Sequence, residues 1–69
     1  MKLRINGPVL RRARQSRKWS LREAASYMKI SYSHLCHYES GKSQPKLDIV
    51  GRLCHLYHLT PNDILTWRN

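Results

Sequence analysis

Between residues 34 and 58 the chain carries four histidines (His34, His37, His55, His58) and two cysteines (Cys36, Cys54), with Tyr32, Ser33 and Tyr38 close to the first of them. Side chains of these types can ligate a metal, pack a core or pair with the edges of nucleic-acid bases. For a metal, Cys54 and His58 have the four-residue spacing that lets two ligands share one helix face. Against it, Cys54 falls at an inward, small-residue position, His34 and Cys36 point to different sides of one helix, and no Cys-x-x-Cys spacing occurs. A zinc site is therefore the weaker reading, and no metal or cofactor is expected. Uncharged hydroxyl and imidazole groups can also meet base edges, because each can donate or accept a hydrogen bond in a DNA groove.

The charge supports that direction. The 69 residues, enough for one small domain with one core, include 13 Lys and Arg against 4 Asp and Glu, a net charge of +9. Such an imbalance repels itself in a compact fold unless an anion is near. Nucleic-acid phosphate is the first candidate and an acidic membrane surface the second. Lys2, Arg4, Arg11, Arg12, Arg14, Arg17 and Lys18 all precede the first acid, Glu23, so the positive charge is concentrated at the N-terminal end. No apolar run approaches the roughly 20 residues of a membrane span, and no signal-peptide stretch opens the chain. A cytoplasmic, nucleoid-associated location with both cysteines reduced is the expectation. Catalysis is not: paired carboxylates, an oriented nucleophile and a glycine-rich phosphate loop are all missing from the sequence.

The elements that must position these residues are marked by their caps. Residues 1–5, MKLRI, alternate polar and apolar and fit either a short strand or a basic arm; residues 6–69 form the domain proper. Asn6-Gly7-Pro8 starts a first helix that continues from Val9 to Lys18. Ser20-Leu-Arg-Glu23 fits a capping box and opens a second, from Leu21 to about Met28. Ser31 caps a third, which ends at Ser40-Gly41, where glycine supplies a left-handed stop. Pro45 opens a fourth, with Leu47, Val50, Leu53, Cys54 and Tyr57 at helical spacing and His58 as an imperfect stop. Thr60-Pro-Asn-Asp63 starts a short fifth, from Pro61 to about Thr66, with Ile64 and Leu65 turned inward. The expected fold is all-α: five short helices, with a short N-terminal strand or arm.

Three of the four acids, Glu23, Asp48 and Asp63, fall in first helical turns, where the dipole favours them. Glu39, at the end of the third helix, is opposed by the dipole and needs a cation, expected to be an arginine of the first helix. At roughly 100° per residue, Leu35 and Tyr38 share the core side of the third helix with Ser31. Tyr32, Ser33, Cys36 and His37 occupy the other side, and His34 falls toward the edge of the core side. An uncharged outer side on so basic a chain reads as a contact surface.

Two capped helices joined by a short connection, the second ending in YESGKSQP, together with KLDIVGRLCHLYHLTPNDIL, resemble the lambda repressor and Cro-like (XRE) family of helix-turn-helix domains over about residues 7–66. The resemblance implies a compact five-helix lambda-repressor-like domain. It places Ala25 where the two motif helices touch, Leu35 and Tyr38 inside the recognition helix, and Arg14 with Glu39 as a buried pair. Base-reading positions fall on Tyr32, Ser33 and His37, with Cys36 adjacent. Phosphate contacts fall on Ser20, Leu21 and Arg22 and on Lys42, Ser43 and Lys46. The chain departs from the pattern at two positions: Leu21 replaces a glutamine and offers only its backbone N–H, and Lys29 replaces a turn glycine and must accept a strained or altered turn.

The function implied is sequence-specific binding of double-stranded DNA by a transcriptional regulator, repressor-type, with the third helix in the major groove. Lys2 and Arg4 would enter the minor groove as an arm. A palindromic operator and a homodimer through Leu65 and Trp67 follow from the family's two-fold habit; a small-molecule effector is not expected. The rival on the same fold is a protein-binding adaptor, such as an antitoxin-like module.

Overall fold

The computed structural model describes residues 2–68; the side chains of Lys2, Trp67 and Arg68 lie outside that description. Along the described chain run β1 (Lys2–Ile5), α1 (Gly7–Ser16), α2 (Leu21–Met28), α3 (Tyr32–Ser40), α4 (Leu47–Tyr57), α5 (Pro61–Ile64) and β2 (Leu65–Arg68). The caps act where their chemistry predicts. Asn6 accepts a hydrogen bond from the Val9 N–H, with Pro8 in the first turn of α1. Ser20 and Glu23 form a reciprocal capping box, and Ser31 accepts from the His34 N–H. Gly41 closes α3 at φ +83°, a conformation that costs glycine little.

Leu10, Leu35, Leu53 and Ile64 are fully buried, one from each of α1, α3, α4 and α5; α2 adds Ala24, Ala25 and Met28, and β1 adds Ile5. Each such leucine or isoleucine contributes roughly 1.5–3 kcal/mol by leaving water. The small Ala24 and Ala25 let α2 lie close to its neighbours, so the angle between α2 and α3 is set by packing rather than by the turn alone. Gly7 does the same at the other end of α3, since a Cβ there would collide with the Glu39 carbonyl oxygen.

The fold departs from an all-α chain at its ends. β1 and β2 pair antiparallel, Lys2 opposite Arg68, Leu3 opposite Trp67 and Ile5 opposite Leu65. Residues 2–5 are thus a strand rather than an arm. The fifth helix stops at Ile64, not near Thr66, because Leu65 is extended at φ −114°, ψ 141° to pair with Ile5. α1 stops at Ser16, two residues short of the expected Lys18, because Lys18 takes a left-handed φ of 58°. α4 begins at Leu47 with Lys46 as its N-cap, so Pro45 precedes the helix rather than opening it.

Candidate nucleic-acid interface

α2 and α3 are joined by Lys29, Ile30 and Ser31. Lys29 occupies the left-handed region at φ 59°, ψ 41°, and its N–H and that of Ile30 donate back to the carbonyls of Ser26 and Ala25 at 3.2 and 3.1 Å. A lysine therefore holds the conformation that glycine adopts without a Cβ penalty, at a cost of roughly 1–2 kcal/mol. Ala25, 3% exposed, joins Leu35 of α3 in the buried core.

α3 divides as its spacing requires. Leu35 and Glu39 are buried and Tyr38 half-buried, while Tyr32, Ser33 and His37 are exposed and Cys36 is half-buried beside them. His34 is exposed too, its ring stacked on Tyr38 at 6.4 Å between centroids. The outer side thus presents a phenol, a hydroxyl and an imidazole, flanked by a thiol, in one strip. Tyr32 is 42% exposed, and the Arg22 guanidinium lies over its ring at 4.8 Å. Sequence spacing could not reveal that contact, because it depends on how α2 crosses α3. It orients an arginine at the start of α2 and a tyrosine at the start of α3 together.

The residues expected at phosphates lie at the start of α2 and in the loop after α3. At the start of α2, the Ser20 N–H donates to Glu23 Oε1 at 3.0 Å and the Glu23 N–H donates to Ser20 Oγ at 3.1 Å. The N–H groups of Leu21 and Arg22, in the first turn of α2, have no intrahelical carbonyl to donate to, the kind of donor that suits an anion. After α3, Lys42 and Lys46 are exposed and Ser43 is half-buried. Arg4 lies on β1, its Nη2 donating to the Gly41 carbonyl at 3.5 Å. An arm reaching a minor groove would have to leave the sheet; the Lys2 side chain lies outside the described residues. Leu65 is half-buried and packs against the core from β2, and the Trp67 side chain again lies outside the description.

Beneath the strip, Arg14 Nε donates to Glu39 Oε2 at 2.8 Å and Nη2 to Oε1 at 3.2 Å, while Nη1 reaches the Trp19 carbonyl at 2.9 Å. The hydrogen bond to Glu39 holds the Arg14 pKa above its ordinary value. Arg11 stands 3.7 Å from the same carboxylate. Its place three residues before Arg14 was the available signal for that second cation. Both ends of α3 are therefore pinned: Ser31 caps one and the Arg14–Glu39 pair holds the other. Among the described residues no three His, Cys, Asp or Glu side chains converge on one point. Cys36 and Cys54 are free thiols, and burial raises the Cys54 pKa. No helix of the described residues is long and apolar enough to cross a membrane.

Comparison with known proteins agrees with this geometry. The helix-turn-helix domain family matches residues 7–67. Among solved structures, the clp gene regulator ClgR from Corynebacterium glutamicum is similar in two determinations. In one, the TM-score is 0.73 at 26% identity, covering 83% of this chain and 61% of that one. In the other, the TM-score is 0.71 at 26% identity, covering 83% and 74%. This chain thus spans less than two thirds of the first of them. None of the curated proteins matches.

Proposed function

Because the chain belongs to the helix-turn-helix domain family, we propose that it is a sequence-specific regulator of transcription, repressor-type, that binds double-stranded DNA with α3 in the major groove. The observation that carries this reading is the two-sided character of α3. Leu35 and Glu39 are fixed in the interior while Tyr32, Ser33 and His37 face out uncharged from a strongly basic chain. Tyr32 meets a thymine methyl or donates its hydroxyl, Ser33 pairs with any base edge, and neutral His37 donates to a purine N7 or O6. Cys36 lines the same strip. Ser20, Leu21 and Arg22 hold phosphates on one side, and Lys42, Ser43 and Lys46 hold them on the other.

Two copies on a palindromic operator would place their recognition helices about 34 Å apart. A homodimer through Leu65 and Trp67 would supply that pairing, and exposed Leu3 and Leu47 line the same groove as Leu65. The protein then acts in the cytoplasm, on the nucleoid, with no small-molecule effector.

Selection of bound sequences from a random duplex library tests the reading, and a palindromic consensus is the expected result. On that site Tyr32→Ala or His37→Ala should weaken binding by about 1–3 kcal/mol and affect unrelated DNA far less, whereas Lys42→Ala should weaken both alike. Enrichment of no sequence at all would count against it.

A further inference from the structure

A cleft of about 730 Å³ opens beside the α3–α4 loop, lined by Arg4 of β1, Arg11 of α1, Ser40 and Gly41 at the end of α3, Gln44 of the loop and Thr66 of β2. Apart from the end of α3, its walls come from parts of the chain outside the two motif helices: β1, α1, the α3–α4 loop and β2. We infer that this cleft is a further phosphate-binding site, in which Arg4 and Arg11 hold the DNA backbone beyond the contacts of Lys42. The inference rests on the DNA-binding reading above and deepens it.

The charge in the cleft is surplus. The Glu39 carboxylate on its wall is already held at both oxygens by Arg14, at 2.8 and 3.2 Å. Arg11, 52% exposed and 3.7 Å from that carboxylate, adds a cation that the pair does not need. Arg4 is exposed and commits one nitrogen, at 3.5 Å, to the Gly41 carbonyl. A guanidinium has five N–H donors, so most of those on Arg4 remain for a ligand. Two guanidinium groups lining one cleft suit the tetrahedral oxygens of a phosphate, which accept such donors in pairs.

The cleft is also built in advance. β1 is fixed to β2 along its length and to the loop by the Ile5 N–H, which donates to Gln44 Oε1 at 2.6 Å. Arg4 is thereby carried on a fixed strand, which lowers the entropy lost when it takes hold of a ligand. Gly41, its present partner, is the residue before Lys42, so the cleft continues the surface on which Lys42 lies. On the DNA-binding reading, a strand held by Lys42 is thereby brought beside the cleft.

The test measures the salt dependence of binding to a mixed-sequence DNA duplex by the full chain. Arg4→Ala and Arg11→Ala should each lower the slope of log K against log salt by about 1. Arg12→Ala removes the same charge from the other side of α1, beside Val9 and Asp63, and should leave the slope unchanged. Arg11→Lys, which keeps a cation beside Glu39, should restore most of the slope and separates phosphate contact from loss of folding. If Arg4→Ala and Arg11→Ala behave as Arg12→Ala while Lys42→Ala still weakens binding, this inference fails and the DNA-binding reading stands. Absence of duplex binding by the unmodified chain would overturn both. Titration with inorganic phosphate distinguishes the sources: shifts of the Arg4 and Arg11 Nε signals at low concentration, with unchanged slopes for both alanine variants, would assign the cleft to a free anion and overturn the backbone assignment.

Discussion

At the scale of single residues, the least satisfied group is the Tyr57 hydroxyl. The ring is 2% exposed, and the oxygen finds no hydrogen-bond partner among the described residues. Burial, helped by the Glu39 charge, pushes its pKa up to about 12 from an ordinary 10.0. The folded state therefore holds the proton more tightly than the unfolded one. This contribution to stability is fully present below pH 10 and is lost as pH rises from 10 through 12, a change of roughly 2–3 kcal/mol. Tyr57→Phe removes an unpartnered polar atom and should be neutral or stabilising by up to about 1 kcal/mol at neutral pH. Denaturant melts of both proteins at pH 8 and pH 11 check this: the parent should lose ground to the variant at the higher pH. Glu39 was legible as a residue in need of a cation because its place opposes the helix dipole. The orphaned hydroxyl of Tyr57 was not, since an apolar spacing of three and four reports that a ring turns inward and nothing about what meets its tip.

Among the elements, the turns hold the reserve of stability. Lys18, Lys29 and His58 all adopt left-handed backbone angles, φ 58°, 59° and 55°, and only α3 ends on a glycine. Lys29→Gly relieves the Cβ conflict and should stabilise by about 1 kcal/mol, which raises Tm by about 4–8 °C in a domain of this size. Calorimetry of the variant measures it directly. An unchanged Tm would mean that the added freedom of the unfolded chain cancels the gain. The starts of α1, α2 and α3 were legible because their Asn or Ser caps act on groups three residues away, whereas α4, capped by a lysine, starts two residues beyond the expected Pro45. β2 was not. Leu65 and Thr66 continue a helical pattern from Ile64, and they become a strand because β1, about sixty residues earlier in the chain, offers a pairing edge. The exposed strip of α3 followed from angular spacing alone, whereas the Arg22 contact with Tyr32 required the crossing of two helices.

For the molecule as a whole, salt should act with opposite signs on folding and on binding. A net charge of +9 over 69 residues makes the compact state self-repelling, and added salt screens that repulsion at the surface. The Arg14–Glu39 pair, 12% and 3% exposed, is shielded from the same effect. Tm should therefore rise as sodium chloride is raised, even as DNA affinity falls; a Tm that falls would place the dominant electrostatics in attractive surface pairs instead. The pairing of Lys2 with Arg68 has a consequence of a different kind. Because β1 and β2 lie side by side, they close the backbone into one loop that carries all five helices between them, so that unzipping the two strands would release Ile5 and Leu65 from their pairing together.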